Sequence, residues 1–488
     1  MSVLSTSVKY IRKAAALMLL SLLASSCQWI ADDYDDETVD ITSNNYIQLT
    51  LHVRTSTAVT RANPTGGEDG DGRERGIETR ENEVEGVTLI FYQNAAGINA
   101  TVESAAATPI DFVAYYDNME LVGDAYDRYS GELCYTTGER KLDAKLDVTK
   151  TYRMLVVANA NLTSSITMGD ATKTSLADVR DMVRTSAYTG TGITVNANKF
   201  VMTSESSTDD VITFSNYSYN KTTNRRIYTF DKIHIERMAA RIDYWAKNAT
   251  YSTAHDHNGY EYPVVGSTTD KFVLTSITPF NLNMNNGDNG NEYLFKRTND
   301  VTSPYLANET TTNWVIDPYT ASKTTSGHPS YLQSTLTDVT TNMANTYNIT
   351  MTAQQSNKIT VNGSDDIILA YPKENTLTFA TPLYYYATGL AFEGYYYKNG
   401  SSTGERHVFY YYIRHQGESN QAYTAMKEGD LSTTATITSL GSNTAMNYGI
   451  VRNNIYRISI ESITMGGWIK IAIEEKPWRH VDNPIINI

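Results

Sequence analysis

Several residue groups in this chain have types and spacings that could do chemistry. His255-Asp256-His257 sets two imidazoles around a carboxylate, a spacing that puts both rings on one face of a strand, within reach of one metal ion. Asn258-Gly259 follows at once and marks a surface turn, which is the reading the sequence favours. Asp69 and Asp71 begin a calcium-loop pattern, but the EF-hand spacing requires Asp or Asn where Arg73 stands, so Gly66–Gly76 reads as a solvated loop. Cys134 has no local signature of a base and reads as a small buried strand residue. The tyrosine triplets at 384–386, 395–397 and 410–412 offer rings that could stack on sugars; tyrosine also suits half-exposed strands, and that reading is preferred. The Arg61–Ala62 bond, between small polar residues and the Gly-rich loop, is open to a trypsin-like protease. No phosphate loop, nucleophile elbow or paired-carboxylate motif stands out, so neither an enzyme nor a metal or cofactor is expected.

The cuttable bond takes its meaning from the element before it. In Tyr46–Val53 the residues Ile47, Leu49, Leu51 and Val53 alternate with Gln48, Thr50 and His52, which predicts a strand with one face buried. A first strand joined to the rest by a cleavable segment is a strand the protein can lose. Its loss leaves a groove to refill.

Length and composition bound the rest. The 488 residues suggest two to three domains, and abundant Tyr (36) with Thr and Asn favours a mostly β fold with many turns. Lys plus Arg is 40 against 54 Asp plus Glu, a net charge of −14. That excludes a nucleic-acid footprint and disfavours general adhesion to anionic membranes. At the N-terminus, Lys9, Arg12 and Lys13 precede an apolar run, Ala14–Ala24, too short to span a bilayer. Leu-Leu-Ala-Ser-Ser-Cys resembles a bacterial lipobox, with cleavage before Cys27 and lipid on its sulfur. The acidic residues Asp32, Asp33, Asp35, Asp36 and Glu37 resemble a surface-export signal of lipoproteins in Bacteroidota. With Cys27 lipidated, Cys134 has no disulfide partner, and the fold is held by core area alone.

Further along, Val87–Tyr92 and Tyr152–Ala158 read as strands, the second covered on both faces. Ser175–Val183 reads as a helix in the N-terminal domain, capped by Ser175, with Leu176, Val179 and Val183 on one face. Residues 212–224 read as a loop, as do 281–291 and most of 299–330. Lys232–Tyr244 opens a second patterned region, which places the domain boundary near Asp231. At the other end, Tyr456, Ile458 and Ile460 alternate with Arg457, Ser459 and Glu461, and Ile469, Ile471 and Ile473 form another such run before Pro477-Trp478. The chain closes on Val481-Asp482-Asn483-Pro484-Ile485-Ile486-Asn487-Ile488, an apolar extended tail that wants a groove.

Blocks spread over the chain resemble the type V pilins, the fimbrillins of Bacteroidota, of the minor-fimbrium stalk kind. They are the first strand with Thr60-Arg61-Ala62, then Thr151–Asn159, Glu236–Ile242, Ala370–Asn375, Val408–His415 and Gly449–Tyr456. The resemblance implies two tandem transthyretin-like β-sandwich domains. It implies export as a lipoprotein to the outer membrane, cutting by an Arg-specific surface protease, and head-to-tail self-polymerisation into an extracellular fimbrium with anchor and tip subunits, serving adhesion and biofilm formation. In these terms residues 1–26 are the signal peptide and 27–61 the tether with the removable strand. Residues 62–231 and 232–477 are the two domains, and 478–488 the candidate donor strand with Ile485, Ile486 and Ile488. The alternative is a tip adhesin, or a surface lipoprotein that binds host or bacterial glycans through its tyrosine strands.

Overall fold

The computed structural model describes residues 44–53, 83–96, 102–126, 133–143, 145–168, 173–180, 182–184, 199–204, 211–280, 292–295, 349–350, 358–361, 364–372, 375–376, 388–413, 423–424, 426–427, 449–450, 452–464 and 469–477. The first strands are β1 Asn45–Val53, β2 Gly86–Tyr92, β3 Ile110–Asp117, β4 Glu120–Tyr126, β5 Leu133–Thr136, β6 Arg140–Lys141 and β7 Thr151–Ala158. Next come β8 Val183–Arg184, β9 Met202–Ser204, β10 Val211–Thr213, β11 Ser218–Asn220 and β12 Arg225–Arg237. β13 Arg241–Trp245, β14 Thr250–Ser252, β15 Gly259–Val265, β16 Lys271–Phe280, β17 Glu292–Tyr293, β18 Ile349–Thr350, β19 Lys358–Val361 and β20 Ser364–Ala370 follow. The last are β21 Asn375–Thr376, β22 Gly389–Tyr397, β23 Glu405–Tyr412, β24 Tyr423–Thr424, β25 Met426–Lys427, β26 Gly449–Ile450, β27 Asn454–Thr464 and β28 Ile469–Pro477. Two short helices, α1 Val102–Ala106 and α2 Leu176–Arg180, and a 3₁₀ turn, Lys398–Gly400, complete the described elements.

The fold is mostly β. Among the described residues, an eleven-stranded sheet runs β3-β2-β7-β9-β12-β1-β5-β4 and a thirteen-stranded sheet runs β19-β20-β13-β27-β15-β16-β22-β23-β25, with shorter strands attached to each. β2 and β7 pair antiparallel, and nearly all their side chains are buried, which is why both read as continuous apolar runs. α2 is shorter than expected. Ser175 Oγ accepts the Asp178 N–H at 3.1 Å while the Asp178 carboxylate takes the Ser175 N–H at 2.7 Å, a reciprocal cap. Leu176 and Val179 are buried as predicted, but Val183 belongs to β8, which pairs with β17. Residues 212–224 are not simply a loop: β10 pairs with β7 and β11 with β12.

β12 runs unbroken through position 231, so the expected boundary lies inside a strand of the first sheet. The chain changes sheets at Met238–Ala240, where three backbone bonds meet. The Met238 N–H donates to Val201 O at 3.0 Å, the Ala240 N–H to Pro372 O at 2.9 Å, and the Asn453 N–H to Ala239 O at 2.8 Å. Four arginines are almost fully buried around this crossing. Arg237 donates to Asn453 Oδ1 at 2.8 Å, Arg241 holds Asp243 at 2.7 Å, Arg452 donates to Leu294 O at 3.0 Å, and the Arg457 guanidinium lies 3.9 Å from the centre of the Trp245 ring. A buried guanidinium is tolerated only where such partners replace water. Arg457 also shows why the alternation in β27 misleads: Arg457 and Ser459 are as buried as their aliphatic neighbours, so both faces of β27 are covered, Arg457 lying against the Trp245 ring.

Candidate functional site

β1 has the predicted alternation. Ile47, Leu49 and Leu51 are fully buried, Val53 nearly so, and Tyr46, Gln48, Thr50 and His52 are half-buried on the other face. The strand is interior to its sheet. It lies parallel to β12 from Asn45↔Arg226 to Val53↔Ile235, and antiparallel to β6 and β5 on its other side. Both rows of β1 backbone groups therefore have neighbours, and its four aliphatic side chains belong to the first core. At its start, the Asn44 side chain donates to Asn224 O at 2.8 Å, and the Arg225 guanidinium lies 4.4 Å from the centre of the Tyr46 ring while pairing with Glu139 at 3.1 Å. Toward its end, His52 faces His234 and touches the sulfur of Cys134, which is buried in β5 as expected.

Burying four such side chains contributes, as an upper estimate, about 6–12 kcal/mol. Leu49→Ala is therefore expected to lower the unfolding free energy of the uncut chain by about 2–5 kcal/mol, against about 0.5 kcal/mol for Gln48→Ala on the open face. Urea denaturation of the two variants checks this; equal effects would contradict the one-sided burial.

The tyrosine strands do not form an open platform where they are described. Tyr396, Tyr397, Tyr410, Tyr411 and Tyr412 are buried. Tyr395 is covered by the His257 ring at 3.4 Å between centroids, and Tyr397 by His255 at 4.3 Å. This corrects the half-exposed reading for Tyr396, Tyr397 and Tyr410–Tyr412, whose burial also leaves them no open platform for a sugar, while Tyr395 is half-buried with His257 stacked on its ring. His255-Asp256-His257 is the turn between β14 and β15. Its two imidazoles stack on neighbouring tyrosines of β22, and His255 Nε2 pairs with Glu261 at 2.8 Å.

Three carboxyls at this corner are placed to make it sensitive to acid. The Tyr397 hydroxyl, helped by His257, holds the Asp256 carboxyl below its ordinary value. Burial works to raise Glu261, but hydrogen bonds from His255 and Lys271 outweigh it and its pKa is lowered. The Tyr396 hydroxyl at 2.6 Å and the Asn399 N–H at 2.8 Å lower Asp270. Each group binds its proton more weakly folded than unfolded, so its contribution is present above the ordinary carboxylate range and lost as pH falls through the lowered folded value. The melting temperature should drop steeply below about pH 4, and Asp270→Asn should flatten that drop. An unchanged acid profile in Asp270→Asn would contradict it.

The other predicted site residues, Cys27, Arg61, Ala62, Ile485, Ile486 and Ile488, lie outside the described residues, as do residues 1–26, the Gly66–Gly76 loop, residues 281–291 and 299–330, and Tyr384-Tyr385-Tyr386. No group of His, Cys, Asp and Glu suited to a metal ion occurs among the described residues, and no described helix is long and apolar enough to cross a membrane. The sequence reading missed the polar contacts in the neighbours of β1. Thr137 and Asp231 sit opposite its middle, with only Gly138 after Thr137 as a local sign of an irregular turn.

No protein-family model matches the chain, and no curated protein matches it. Among solved structures, it is similar to a fimbrilin (FimA) from Porphyromonas gingivalis W83, at 12% identity over 90% of this chain and 99% of that one, with a TM-score of 0.40. It is also similar to the tip fimbrial protein Mfa3 from Porphyromonas gingivalis with a C-terminal truncation, at 11% identity over 88% of this chain and 99% of that one, with a TM-score of 0.38.

Proposed function

We propose that this chain is the structural stalk subunit of a surface fimbria. It is exported as a lipoprotein on Cys27, cut after Arg61, and polymerised when a strand of the next subunit replaces β1. The observation that carries the reading is the position of β1: an interior strand, buried on one face and paired on both edges, that connects to the chain ahead of it only through residues 54–82. Once that connection is cut, β1 is held by non-covalent contacts alone. A departing β1 leaves unpaired backbone groups and an apolar groove, which an extended segment can fill by adding itself as a strand. The apolar tail Val481–Ile488 has the alternation for that role. Seat and tail are different surfaces, so the contact runs head to tail and grows a filament without closing. An uncut β1 keeps the seat filled and so prevents assembly before the chain reaches the surface.

The first residue of the surface-assembled chain tests this. Ala62 is expected; a lipidated Cys27 start in purified fibres would sink the reading. The alternative of a glycan-binding surface lipoprotein draws no support from the buried tyrosines of 396–397 and 410–412.

A further inference from the structure

A fibre built by strand replacement carries tension, and strand topology decides how each ladder inside the subunit meets it. Two neighbouring strands pulled from opposite ends are loaded in shear, and all the bonds between them share the force. Two strands drawn apart from one end are peeled, and their bonds open one after another at lower force. Which ladder yields first under load is set by these barriers.

The seat is loaded in shear. β1 lies parallel to β12, with Asn45 opposite Arg226 and Val53 opposite Ile235. A tail lying there in the direction of β1 is pulled from its N-terminal end, at the Asn45 end of the seat. β12 is pulled from its C-terminal end, because it runs on through Arg237 into the crossing at Met238–Ala240. The two pulls act at opposite ends of parallel neighbours, and β5 and β6 hold the occupant's other edge.

The root of the tail is loaded in peel. Beyond the crossing, Arg241 at the start of β13 lies opposite Ile455 of β27, and Ile455 lies opposite Lys476 of β28. Force that enters at Arg241 and force that leaves at Pro477 therefore act at the same end of these three strands. The start of β27 is tied into the crossing. The Asn453 N–H donates to Ala239 O at 2.8 Å and Arg237 donates to Asn453 Oδ1 at 2.8 Å, with Arg237, Arg452 and Asn453 all buried. The last ladder before the tail is thus the β27–β28 pair, opened from its Asn454↔Pro477 end. Among the described residues β28 meets β24 only at Lys470 and Ile471, so from Ala472 to Pro477 its one partner is β27.

We propose that β28 is the yielding element of the subunit: under tension it peels from β27, starting at Pro477, while the strand in the seat holds. Its nine residues come free and the point of attachment moves to the other end of the strand. Each subunit then lengthens by about 5 nm, the freed chain plus the length of the strand it lay on. Yielding stops there. Once β28 is off, β27 is pulled from its Thr464 end against β13 pulled from Arg241, and these strands are parallel neighbours in shear. When the load falls, β28 finds β27 in place and pairs again. Use of this device in a fibre rests on the strand-replacement reading. Its geometry belongs to the single chain, where β1 itself fills the seat, and is tested there.

The test pulls single uncut chains carrying Cys27→Ser and Cys134→Ser between two cysteine handles, Ser43→Cys ahead of β1 and Asn487→Cys in the tail. Optical tweezers record the length and order of the steps. A step of about 5 nm that reverses on relaxation should come first. A step of about 13 nm should follow at higher force, as β1 leaves and frees the roughly forty residues between Asn45 and Gly86. Moving the second handle to Thr464→Cys takes β28 out of the path and should abolish the short step. The long step coming first, or a short step that persists with the Thr464 handle, would overturn the proposal. Should the single chain yield in the expected order while fibres pulled end to end part without short steps, the strand-replacement reading fails and the yielding of β28 stands.

Discussion

Deleting Val481–Ile488 should leave a chain that folds, is cut, stays monomeric and forms no fibres. β28 ends at Pro477, where it pairs with Asn454 at the start of β27, so the described part of the second sheet is complete before the tail begins. Loss of the tail should therefore move the melting temperature of the uncut chain by no more than about 1–2 °C. Assembly should be abolished, because Pro484, Ile486 and Ile488 fall on one face of an extended chain and would fill the pockets of residues such as Leu49 and Leu51. Pro484, which lacks an N–H, must sit where no ladder bond is required. Ile486→Asp should act like the deletion, since an unpaired charge buried in the seat costs several kcal/mol. If the tail instead packs on its own chain, the truncation melts lower and fibres still form. Calorimetry and electron microscopy on the same preparation separate the two outcomes.

Arg61→Ala should give a folded, lipidated monomer. With the connection intact, β1 stays in its seat, held on both edges, and no incoming strand can enter. Fibres should fall to background. Arg54, Arg73, Arg75 and Arg80 are competing cleavage sites. Arg54 directly follows Val53, which is paired with both Leu133 and Ile235, and a protease needs an extended stretch free of such pairing. Normal fibres starting at residue 62 or nearby from an Arg61→Ala chain would contradict the site. Fibres starting at residue 74, 76 or 81 would move the cut but keep the mechanism.

The one-sided burial of β1 was legible in the sequence because one buried face and one half-buried face write themselves as period two. The same rule failed in β27, where both faces are covered and Arg457 and Ser459 are buried along with the isoleucines. It also failed for the tyrosine triplets: alternation cannot say that Tyr395 and Tyr397 are capped by a histidine turn more than a hundred residues earlier. A change of sheet beyond Arg237 left no mark in the pattern, because β12 continues, apolar and charged by turns, through Asp231 to Arg237. Three of the blocks singled out in sequence, Glu236–Ile242, Ala370–Asn375 and Gly449–Tyr456, prove to meet at that crossing through Ala240 with Pro372, Ala239 with Asn453, and Asn375 with Ile450. Their spacing along the chain gave no sign of it, because such contacts join distant segments. Thr137 and Asp231 were invisible for the same reason: each matters only through its place opposite the middle of β1.

Strand replacement is tested most directly by a covalent trap between subunits. In a chain with Cys134→Ser, Thr229→Cys marks the β12 edge of the seat opposite Gln48. With Ile486 in the place of Leu49, Ile485 takes the place of Gln48, so Ile485→Cys marks the matching point of the tail. Oxidised fibres should run on a non-reducing gel as a ladder of head-to-tail multimers that collapses to monomer on reduction, and either cysteine alone should give no ladder. Assembled fibres that yield only monomers, with the tail cysteine at 483, 485 or 487 alike, would show that the tail of one subunit does not occupy the seat of the next.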